Sequence, residues 1–276
     1  MKKEPINRDY WCICEKCKGM GQLNKRLRKK IRLAYKNALA AYLKNPQIGI
    51  EPIKPKSIFE KCKPCEGSGL IKTQTAPVAD TENYPHISII GAGIGGVALG
   101  VACLHRGIPF TIYEKDLHFS SRSQGYGLTL QQASKALKSF GILSLEESVV
   151  STRHLVHNTV GKVIAEWGMR KWQEERLKKP LRHTNIHISR QSLRKVLLEE
   201  LHGENRLLWD HELINIKKDE AQKMALHFMV QGKIKKYHTD VIVGADGIRS
   251  AVRNWSLGAQ KTPLNYLDCM VILGIC

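Results

Sequence analysis

The stretch ISIIGAGIGG at residues 87–96 decides the fold of this 276-residue chain, together with FTIYE at residues 110–114. A short, mostly apolar run leads into a cluster of glycines, small residues follow, and a second apolar run ends in a carboxylate. This order predicts a β-strand, a glycine turn, a helix and a second strand parallel to the first. We therefore expect an α/β domain of the Rossmann type that binds a dinucleotide.

Four residues of this pattern have predicted roles in holding a dinucleotide. Gly91 permits the tight turn, and Gly93 lets the backbone approach a pyrophosphate. Gly96 lets the helix pack against the sheet, and the helix N-terminus offers its N–H groups to the anion. Glu114 lies about 20 residues after the glycines, where it can accept hydrogen bonds from both ribose hydroxyls. Glycines framed by two strands, a helix and a correctly spaced acid form a specific signal.

The same segment has a competing interpretation as a membrane helix. Residues 87–104 contain no charged side chain, and two Gly-x-x-x-Gly spacings resemble the packing motifs of membrane helices. The run is barely long enough to span a bilayer, its glycines lie together, and β-branched residues precede them. A buried parallel strand followed by a buried helix produces the same apolar run. We therefore expect no membrane association.

Charge is distributed unevenly along the chain, whose formal net charge is +19. Residues 1–72 carry 18 lysines and arginines against six acidic residues, which indicates either anionic partners or a well-solvated surface. The amino terminus has no apolar stretch typical of a secretory signal. Eight cysteines in such a chain favour metal ligation over disulfides. The sequence therefore predicts a cytoplasmic protein with a metal site.

A repeated cysteine motif predicts where that metal site lies. The octet CEKCKGMG begins at Cys14 and recurs as CKPCEGSG from Cys62, so both fit C-x-x-C-x-G-x-G. Cys14 and Cys17 form one pair of thiolates, Cys62 and Cys65 form the second, and two such pairs complete a tetrahedral Zn²⁺ site. Cys12, two residues before the first pair, could substitute as a ligand, but a bystander role is favoured.

The octet resembles the cysteine-rich domain of DnaJ-type chaperones, which uses the same motif. The resemblance covers only the two octets, because that family carries four repeats and binds two metals. Here a long insert separates two repeats, so the resemblance does not imply a chaperone role.

The insert between the octets is predicted to be a helix with a basic surface. Its apolar face holds Leu27, Ile31, Ala34, Ala38 and Ala41, and seven lysines and arginines between residues 25 and 36 lie elsewhere. Such a helix could bind nucleic acid or an acidic partner. Because no aromatic residues interleave with the basic ones, a solvated helix packed on the cysteine motifs is favoured. We expect a zinc-knuckle and helix module over residues 1–72, a linker over 73–84 and the main domain over 85–276.

The rest of the main domain alternates predicted strands and helices. We expect a strand at 127–130, a helix over 132–140, a hairpin within 155–167 and a helix after Arg190. Residues 206–230 alternate as antiparallel strands, with a turn at residues 231–232. These strands form an antiparallel portion inserted into the α/β domain. A last apolar strand leads into GADGIRSAVR at residues 244–253, which places Asp246 near the ligand and two arginines near phosphates.

Four motifs in this order resemble class A flavin-dependent monooxygenases, the enzymes similar to para-hydroxybenzoate hydroxylase. They are the GAGIGG turn, the Tyr113-Glu114-Lys115 strand end, the segment from Arg190 to Arg194, and GADGIRSAVR. The spacing of Arg122 and Thr129 is most similar to the tetracycline-inactivating branch of that family. The resemblance covers residues 85–276.

This resemblance implies FAD as the resident cofactor. Its adenosine diphosphate half would be held by Gly91, Gly93, Gly96 and Glu114, and Arg190 would contact the flavin cofactor. Thr129 aligns beside the flavin, at a position where the tetracycline branch carries aspartate. Arg122 aligns with a residue implicated in NADPH binding, and Asp246 belongs to a motif used for both FAD and NADPH. No second nucleotide fold is expected, because the family binds NADPH transiently at the flavin.

The implied reaction is a monooxygenation that depends on NADPH and O₂. NADPH reduces the flavin, and one oxygen atom of O₂ passes to an electron-rich phenol or enol of a small aromatic substrate. The protein orients the reactants and excludes water. No side chain needs to act as a nucleophile, so the catalytic residues stay unassigned. His154 and His157 form H-x-x-H, but no metal role is expected because no helix or carboxylate accompanies them.

One segment that the family uses to close its FAD site does not follow. That segment is typically Gly-Asp-Ala-Ala-His-Pro, and this sequence ends at Cys276 without it. We therefore expect an incomplete domain that binds FAD poorly and turns over little. The alternatives are another FAD-dependent oxidoreductase on the same fold, and a non-enzymatic protein that binds zinc and nucleic acid and carries a decayed flavin domain.

Overall fold

The structure is a computed structural model that describes residues 9–47, 49–121, 126–131, 133–151, 153–168, 185–203, 206–219, 223–261 and 263–268. The chain divides into two units, residues 1–74 and residues 75–276.

The smaller unit contains two antiparallel strand pairs and one helix. Its elements are β1 (Tyr10–Ile13), β2 (Gln22–Lys25), α1 (Lys29–Lys44), β3 (Ile58–Lys61) and β4 (Leu70–Thr73). β1 pairs with β4, and β2 pairs with β3 so that Gln22 lies opposite Lys61. The insert that carries α1 therefore begins and ends on two neighbouring strands.

The predicted helix of the insert is confirmed, but its predicted inner face is wrong. None of the α1 side chains is buried, and the half-buried ones are Tyr35, Leu39 and Tyr42. The predicted helix positions Ile31, Ala34, Ala38 and Ala41 are exposed, so the packed face is rotated by roughly a quarter turn at about 100° per residue. The larger side chains bury more apolar area than alanine does, which explains the orientation.

The larger unit contains twelve of the described strands and four of the described α-helices. Its elements are β5 (Ile87–Ile90), α2 (Ile94–His105), β6 (Phe110–Tyr113), β7 (Gly127–Leu130), α3 (Ala133–Ala136), β8 (Val149–Ser151), β9 (Arg153–His157), β10 (Val163–Gly168), β11 (Asn185–Ser189), α4 (Arg190–Glu199), β12 (Leu207–Leu208), β13 (Glu212–Lys218), β14 (Met224–Val230), β15 (Lys233–Thr239), β16 (Val241–Gly244) and α5 (Ala251–Leu257).

A parallel sheet of order β12-β6-β5-β16 forms the centre of this unit. α2 connects β5 to β6, so the predicted succession of strand, glycine turn, helix and strand is confirmed. Among the described residues, no helix has both the length and the apolar character needed to cross a bilayer. Three antiparallel groups accompany the parallel sheet: β7-β11-β8, β9-β10 and β13-β14-β15.

Two apolar layers pack on the two faces of the parallel sheet. On one face Val97 and Val101 of α2 join Ile89 and Leu193 in a core that includes α4. On the opposite face Ile90 and Tyr113 join Phe228 of β14. Because successive side chains of a strand point to opposite faces, the adjacent residues Ile89 and Ile90 belong to different cores. The unit therefore has a helix layer, a parallel sheet and an antiparallel sheet.

Two sequence predictions for this unit need correction. Residues 206–230 are not antiparallel throughout, because β12 pairs in parallel with β6. The helix predicted for 132–140 is instead α3 followed by a 3₁₀ turn at Leu137–Phe140, and Gln132 lies outside the described residues. So short a segment gains few helical hydrogen bonds after a costly nucleation, and Gly141 in the left-handed region (φ 82°) ends it.

His105, the last residue of α2, is expected to make the stability of the fold depend on pH. Burial lowers the pKa of His105 to about 4, assisted by the positive charges of Arg106 and His202. Both ring nitrogens of His105 are buried without a hydrogen-bond partner in the described part of the chain. His105 therefore binds a proton near pH 6.5 in the unfolded chain, but only near pH 4 in the folded chain. Stability is lost as the pH falls from about 6.5 to about 4, by up to about 3 kcal/mol.

We expect His105→Leu to flatten this decline, because the variant has no proton to bind in either state. The measurement is the urea midpoint of the intact chain at several pH values between 4 and 7. His118→Gln, at an exposed position, serves as the control and should keep the wild-type slope. A wild-type slope in the His105→Leu variant would contradict the assignment.

Candidate functional site

The turn between β5 and α2 requires glycine at its first position. Gly91 has φ +105°, and a Cβ atom there would lie 2.5 Å from the carbonyl oxygen of Ala245. The Gly91 N–H donates to the carbonyl oxygen of Tyr113 at 2.7 Å. The turn is thereby held against the ends of both neighbouring strands.

The two other glycines of the fingerprint have different surroundings. A Cβ atom on Gly96 would lie 1.9 Å from the carbonyl oxygen of Gly91, so α2 touches the turn at this point. A Cβ atom on Gly93 would meet nothing within 4 Å. Gly93 is the N-cap of α2 with φ −69°, which any residue can adopt. Its lack of a side chain therefore leaves free space in front of the helix N-terminus.

Glu114 ties the end of β6 to the glycine turn. Its carboxylate is mostly buried, Oε2 accepts from the Ala92 N–H at 2.6 Å, and Oε1 accepts from the Asp116 N–H at 3.1 Å. Each carboxylate oxygen retains a second lone pair for a further donor such as a hydroxyl. The geometry thus shows a structural role for Glu114 and is compatible with the predicted ribose contact.

A cavity of about 300 Å³ opens at the carboxyl ends of β5, β6 and β16. Its lining includes Gly91, Gly93, Glu114 and Asp246, so four of the predicted cofactor residues meet at one place. The carboxyl ends of parallel strands are where ligands bind in open α/β sheets. The volume lies at the lower end of small-molecule sites, about 300–1,000 Å³.

Arg194 is a cavity residue to which the sequence assigned no role. It is only 3% exposed, and its Nε donates to the carbonyl oxygen of Ala92 at 2.7 Å. Its guanidinium lies 5.4 Å from the ring centroids of both Phe119 and Trp209. A buried cation beside the turn can balance an anionic ligand. The available signal was its spacing from Arg190, because residues i and i+4 share one helix face.

Asp246 caps the helix that follows β16. Its Oδ2 accepts from the N–H groups of Ala251 at 2.7 Å and Val252 at 3.3 Å, while Oδ1 is buried without a partner among the described residues. Arg249 also lines the cavity. Arg253 instead donates to the carbonyl oxygen of Ile248 at 2.6 Å. The unpaired Oδ1 and Arg249 are the polar groups that this segment offers to a ligand.

The residues predicted near the flavin lie on other elements. Arg190 begins α4, and its guanidinium lies 5.0 Å from the centroid of the Tyr126 ring. Thr129 on β7 has its hydroxyl 3.3 Å from Nδ1 of His187. Neither Arg190 nor Thr129 lines the 300 Å³ cavity. Arg122 falls outside the described residues.

The four predicted metal ligands come together in the smaller unit. The sulfurs of Cys14 and Cys62 are 3.9 Å apart, those of Cys17 and Cys65 are 3.6 Å apart, and all four lie within 4.8 Å of one another. A tetrahedral ion with Zn–S bonds of about 2.3 Å separates its sulfurs by about 3.8 Å. The donor set therefore fits a tetrahedral thiolate site. Cys12 is outside this cluster, and its Sγ donates to the carbonyl oxygen of Ile71.

The two cysteine loops are related by an approximate two-fold symmetry. The Cys14 N–H donates to the Gly69 carbonyl at 2.8 Å, and the Cys62 N–H donates to the Gly21 carbonyl at 2.9 Å. A Cβ atom on Gly21 would lie 2.4 Å from the Gly67 oxygen, and Gly69 has the same relation to the Gly19 oxygen. The repeated glycines therefore let the two loops touch each other.

Hydrogen bonds in these loops affect the thiols differently. Burial raises the pKa of Cys62 to about 12. Burial also acts on Cys65, but N–H donors from Gly69 and Gly67 outweigh it and lower the pKa of Cys65 to about 7. Thiolates are the metal-binding form of cysteine, so these N–H donors favour ligation.

The larger unit matches a known family and several known proteins. Residues 85–266 match the model of the FAD binding domain family. The chain is 27% identical over 210 residues to the "Probable FAD-dependent monooxygenase" of Arthroderma benhamiae, covering 72% of this chain and 46% of that protein. It is 28% identical over 194 residues to the FAD-dependent monooxygenase thnD of Trichoderma harzianum, covering 69% and 44%. The chain thus spans less than half the length of these relatives.

A solved structure supports the fold. PqsL of Pseudomonas aeruginosa, in complex with 2-aminobenzoylacetate, is similar with a TM-score of 0.50 and 23% identity, over 64% of this chain and 47% of that chain. At this identity the likeness concerns the fold alone.

Proposed function

This chain belongs to the FAD binding domain family, and we propose that its larger unit holds the adenosine diphosphate half of FAD in the 300 Å³ cavity. The observation that carries the proposal is the open space in front of Gly93. A helix N-terminus without a side chain offers N–H groups and a positive dipole to a pyrophosphate. Arg194 and Arg249 add positive charge to the same cavity.

Glu114 supports the same placement from the opposite side. Its carboxylate lies at the end of β6 and lines the cavity. A ribose in this position could donate to the lone pairs that the two backbone N–H groups leave free. The unpaired Oδ1 of Asp246 is a further acceptor for a donor on the cofactor.

We propose that the whole protein is an NADPH-dependent monooxygenase that hydroxylates an aromatic or enolic small molecule. When bound, the flavin supplies the redox chemistry that activates O₂ and transfers one oxygen atom. The chain's own contribution is to bind the cofactor, orient it and exclude water. Arg190 and Thr129 are proposed to face the flavin half, and Arg122 to contact NADPH. A tetracycline-type substrate and a cytoplasmic location stay predictions.

The smaller unit is proposed to bind one Zn²⁺ through Cys14, Cys17, Cys62 and Cys65. Four thiolates with no open position form a structural site rather than a catalytic one. The ion would hold the two cysteine loops together, because the buried cluster between these loops consists of the four cysteines themselves.

Flavin titration of the intact chain tests the placement of Glu114. We expect the fluorescence of FAD to change when the protein binds it, and Glu114→Gln to weaken that binding about tenfold or more, because an amide cannot replace the charged acceptor. The matched control is Glu82→Gln at an exposed position before β5, which should bind FAD as the wild type does.

The same titration with ADP separates the two halves of the cofactor. Competition between ADP and FAD, weakened by Glu114→Gln, supports the cavity as the adenosine diphosphate site. If ADP binds and Glu114→Gln leaves its affinity unchanged, the proposed site is wrong. If FAD binds and NADPH oxidation never incorporates oxygen into any phenol or enol, a different flavin-dependent oxidoreductase is indicated.

A further inference from the structure

The smaller unit carries a positive charge that the proposed flavin function does not use. Residues 16–50 contain ten lysines and arginines and no acidic residue. Within the described residues of this unit, ion pairs join Lys25 to Glu60 and Lys72 to Asp9, and neither pair lies in α1. The helix therefore presents cations that its own surface does not neutralise.

The cations of α1 form a stripe. Lys29, Arg32 and Lys36 follow one another at spacings of three and four residues, which places them on one helix face. All three are exposed, and they rise along the axis by about 4.5 Å and about 6 Å. The first turn of α1 contains no acid, so the cations there also oppose the helix dipole. An anionic partner would relieve both the repulsion among the cations and their repulsion by the positive end of the helix dipole.

The side chains around the stripe favour a phosphate backbone over a lipid surface. The half-buried apolar residues Tyr35, Leu39 and Tyr42 lie directly beside the stripe, with their centre about a quarter turn from it at about 100° per residue. The exposed Leu33 and Leu43 fall between cations on the helical wheel. The exposed apolar face of Ile31, Ala34, Ala38 and Ala41 contains three alanines, which bury too little apolar area to anchor the helix in a membrane.

The same stripe favours a duplex over a single strand. Single strands are held by aromatic side chains that stack on bases, and no exposed aromatic residue lies within α1. Duplex nucleic acid offers a dense, regular row of phosphates with one charge per about 1.7 Å of axis. A row of exposed cations can pair with phosphates of such a backbone without reading bases.

We propose that α1 lies along the phosphate backbone of double-stranded nucleic acid and binds it without sequence preference. The contact is electrostatic, made by Lys29, Arg32 and Lys36 together with the neighbouring cations Arg26, Arg28 and Lys30. It does not depend on flavin binding by the larger unit.

Fluorescence anisotropy with the intact, zinc-loaded chain tests the proposal. The probes are a 20-base-pair DNA duplex of mixed sequence, the RNA duplex of the same sequence and the single DNA strand, each at several salt concentrations. We expect saturable binding to a duplex that weakens steeply with salt, and weaker binding to the single strand. The comparison of the two duplexes distinguishes DNA from RNA as the natural source of the phosphates.

A triple variant identifies the helix as the contact. Lys29→Ala, Arg32→Ala and Lys36→Ala together should reduce duplex affinity about tenfold or more and lower the slope of log K against log salt by about 3. Alanine is a strong helix former, so circular dichroism should show that α1 persists. The control removes the same charge from exposed positions of β15 through Lys233→Ala, Lys235→Ala and Lys236→Ala.

The outcomes are distinct. Loss of binding in the α1 variant with retention in the β15 variant supports the proposal. Equal losses in both variants would show a diffuse charge effect and overturn it. Absence of duplex binding, or preferential binding to vesicles containing phosphatidylserine, would overturn it as well.

Discussion

Gly96→Ala is expected to destabilise the larger unit severely, whereas Gly93→Ala should leave it folded and unable to bind FAD tightly. A Cβ atom on Gly96 would lie 1.9 Å from the Gly91 carbonyl oxygen, a backbone atom that cannot rotate away as the end of a flexible side chain can. Relief requires α2 to move away from the sheet. We expect a loss of about 3 kcal/mol or more, a large part of the about 5–15 kcal/mol that stabilises a domain.

For Gly93→Ala the open space around Gly93 predicts the reverse: little change in stability and a large loss of FAD affinity. Its Cβ would meet no atom within 4 Å, so the free energy of unfolding should change by less than about 1 kcal/mol. The new methyl group would point into the space proposed for the pyrophosphate. FAD affinity should fall about tenfold or more.

Urea unfolding and flavin titration of the two variants measure these effects. Gly95→Ala is the matched control, because its Cβ also meets no atom within 4 Å and alanine raises helix propensity. Normal stability of Gly96→Ala would contradict the tight contact between α2 and the turn. Normal FAD affinity of Gly93→Ala would contradict the proposed pyrophosphate position.

Loss of one buried thiol is the second large effect. Cys62 is 0% exposed, and the buried side chains in the described part of the smaller unit are the four cysteines and Leu70, with Leu23 packed against the cysteines. So few side chains bury too little apolar surface to fold a unit of this size without a metal. Structural zinc sites contribute about 10–16 kcal/mol of binding free energy. We expect Cys62→Ala to abolish metal binding and to unfold the smaller unit.

Metal content and limited proteolysis test this expectation on the intact chain. The wild type should carry one zinc ion per chain and resist cleavage between residues 9 and 74, and Cys62→Ala should do neither. Cys12→Ala is the control, because Cys12 lies outside the cluster and should not be needed for zinc. Iron in place of zinc would correct the metal, and a metal-free wild type that resists cleavage would refute the site.

Short-range patterns made the glycine turn and the cysteine cluster predictable. The residue types and spacing of each motif specify its geometry, because a tight turn needs glycine and four thiolates bind one common metal ion. Glu114 was also found by its spacing, although its bonds to the N–H groups of Ala92 and Asp116 were not. These bonds depend on how β6 meets the turn.

The residues that were missed depend on packing between distant segments. Arg194 lies beside Ala92, about a hundred residues earlier in the chain, because α4 packs against α2 in one core. The orientation of α1 depends on which large side chains find neighbours, and helical periodicity alone allowed more than one face. β12 joined the parallel sheet because two residues pair with β6, too short a run to show a period.

The pairing of β2 with β3 has a consequence for how the smaller unit can change. Gln22 on β2 pairs with Lys61 on the adjacent strand β3. The two ends of the segment between them therefore lie close together. The length and composition of this segment can therefore change without moving the four cysteine sulfurs. This segment can therefore be replaced, in evolution or by design, either by a short turn that joins the two strands or by another binding element.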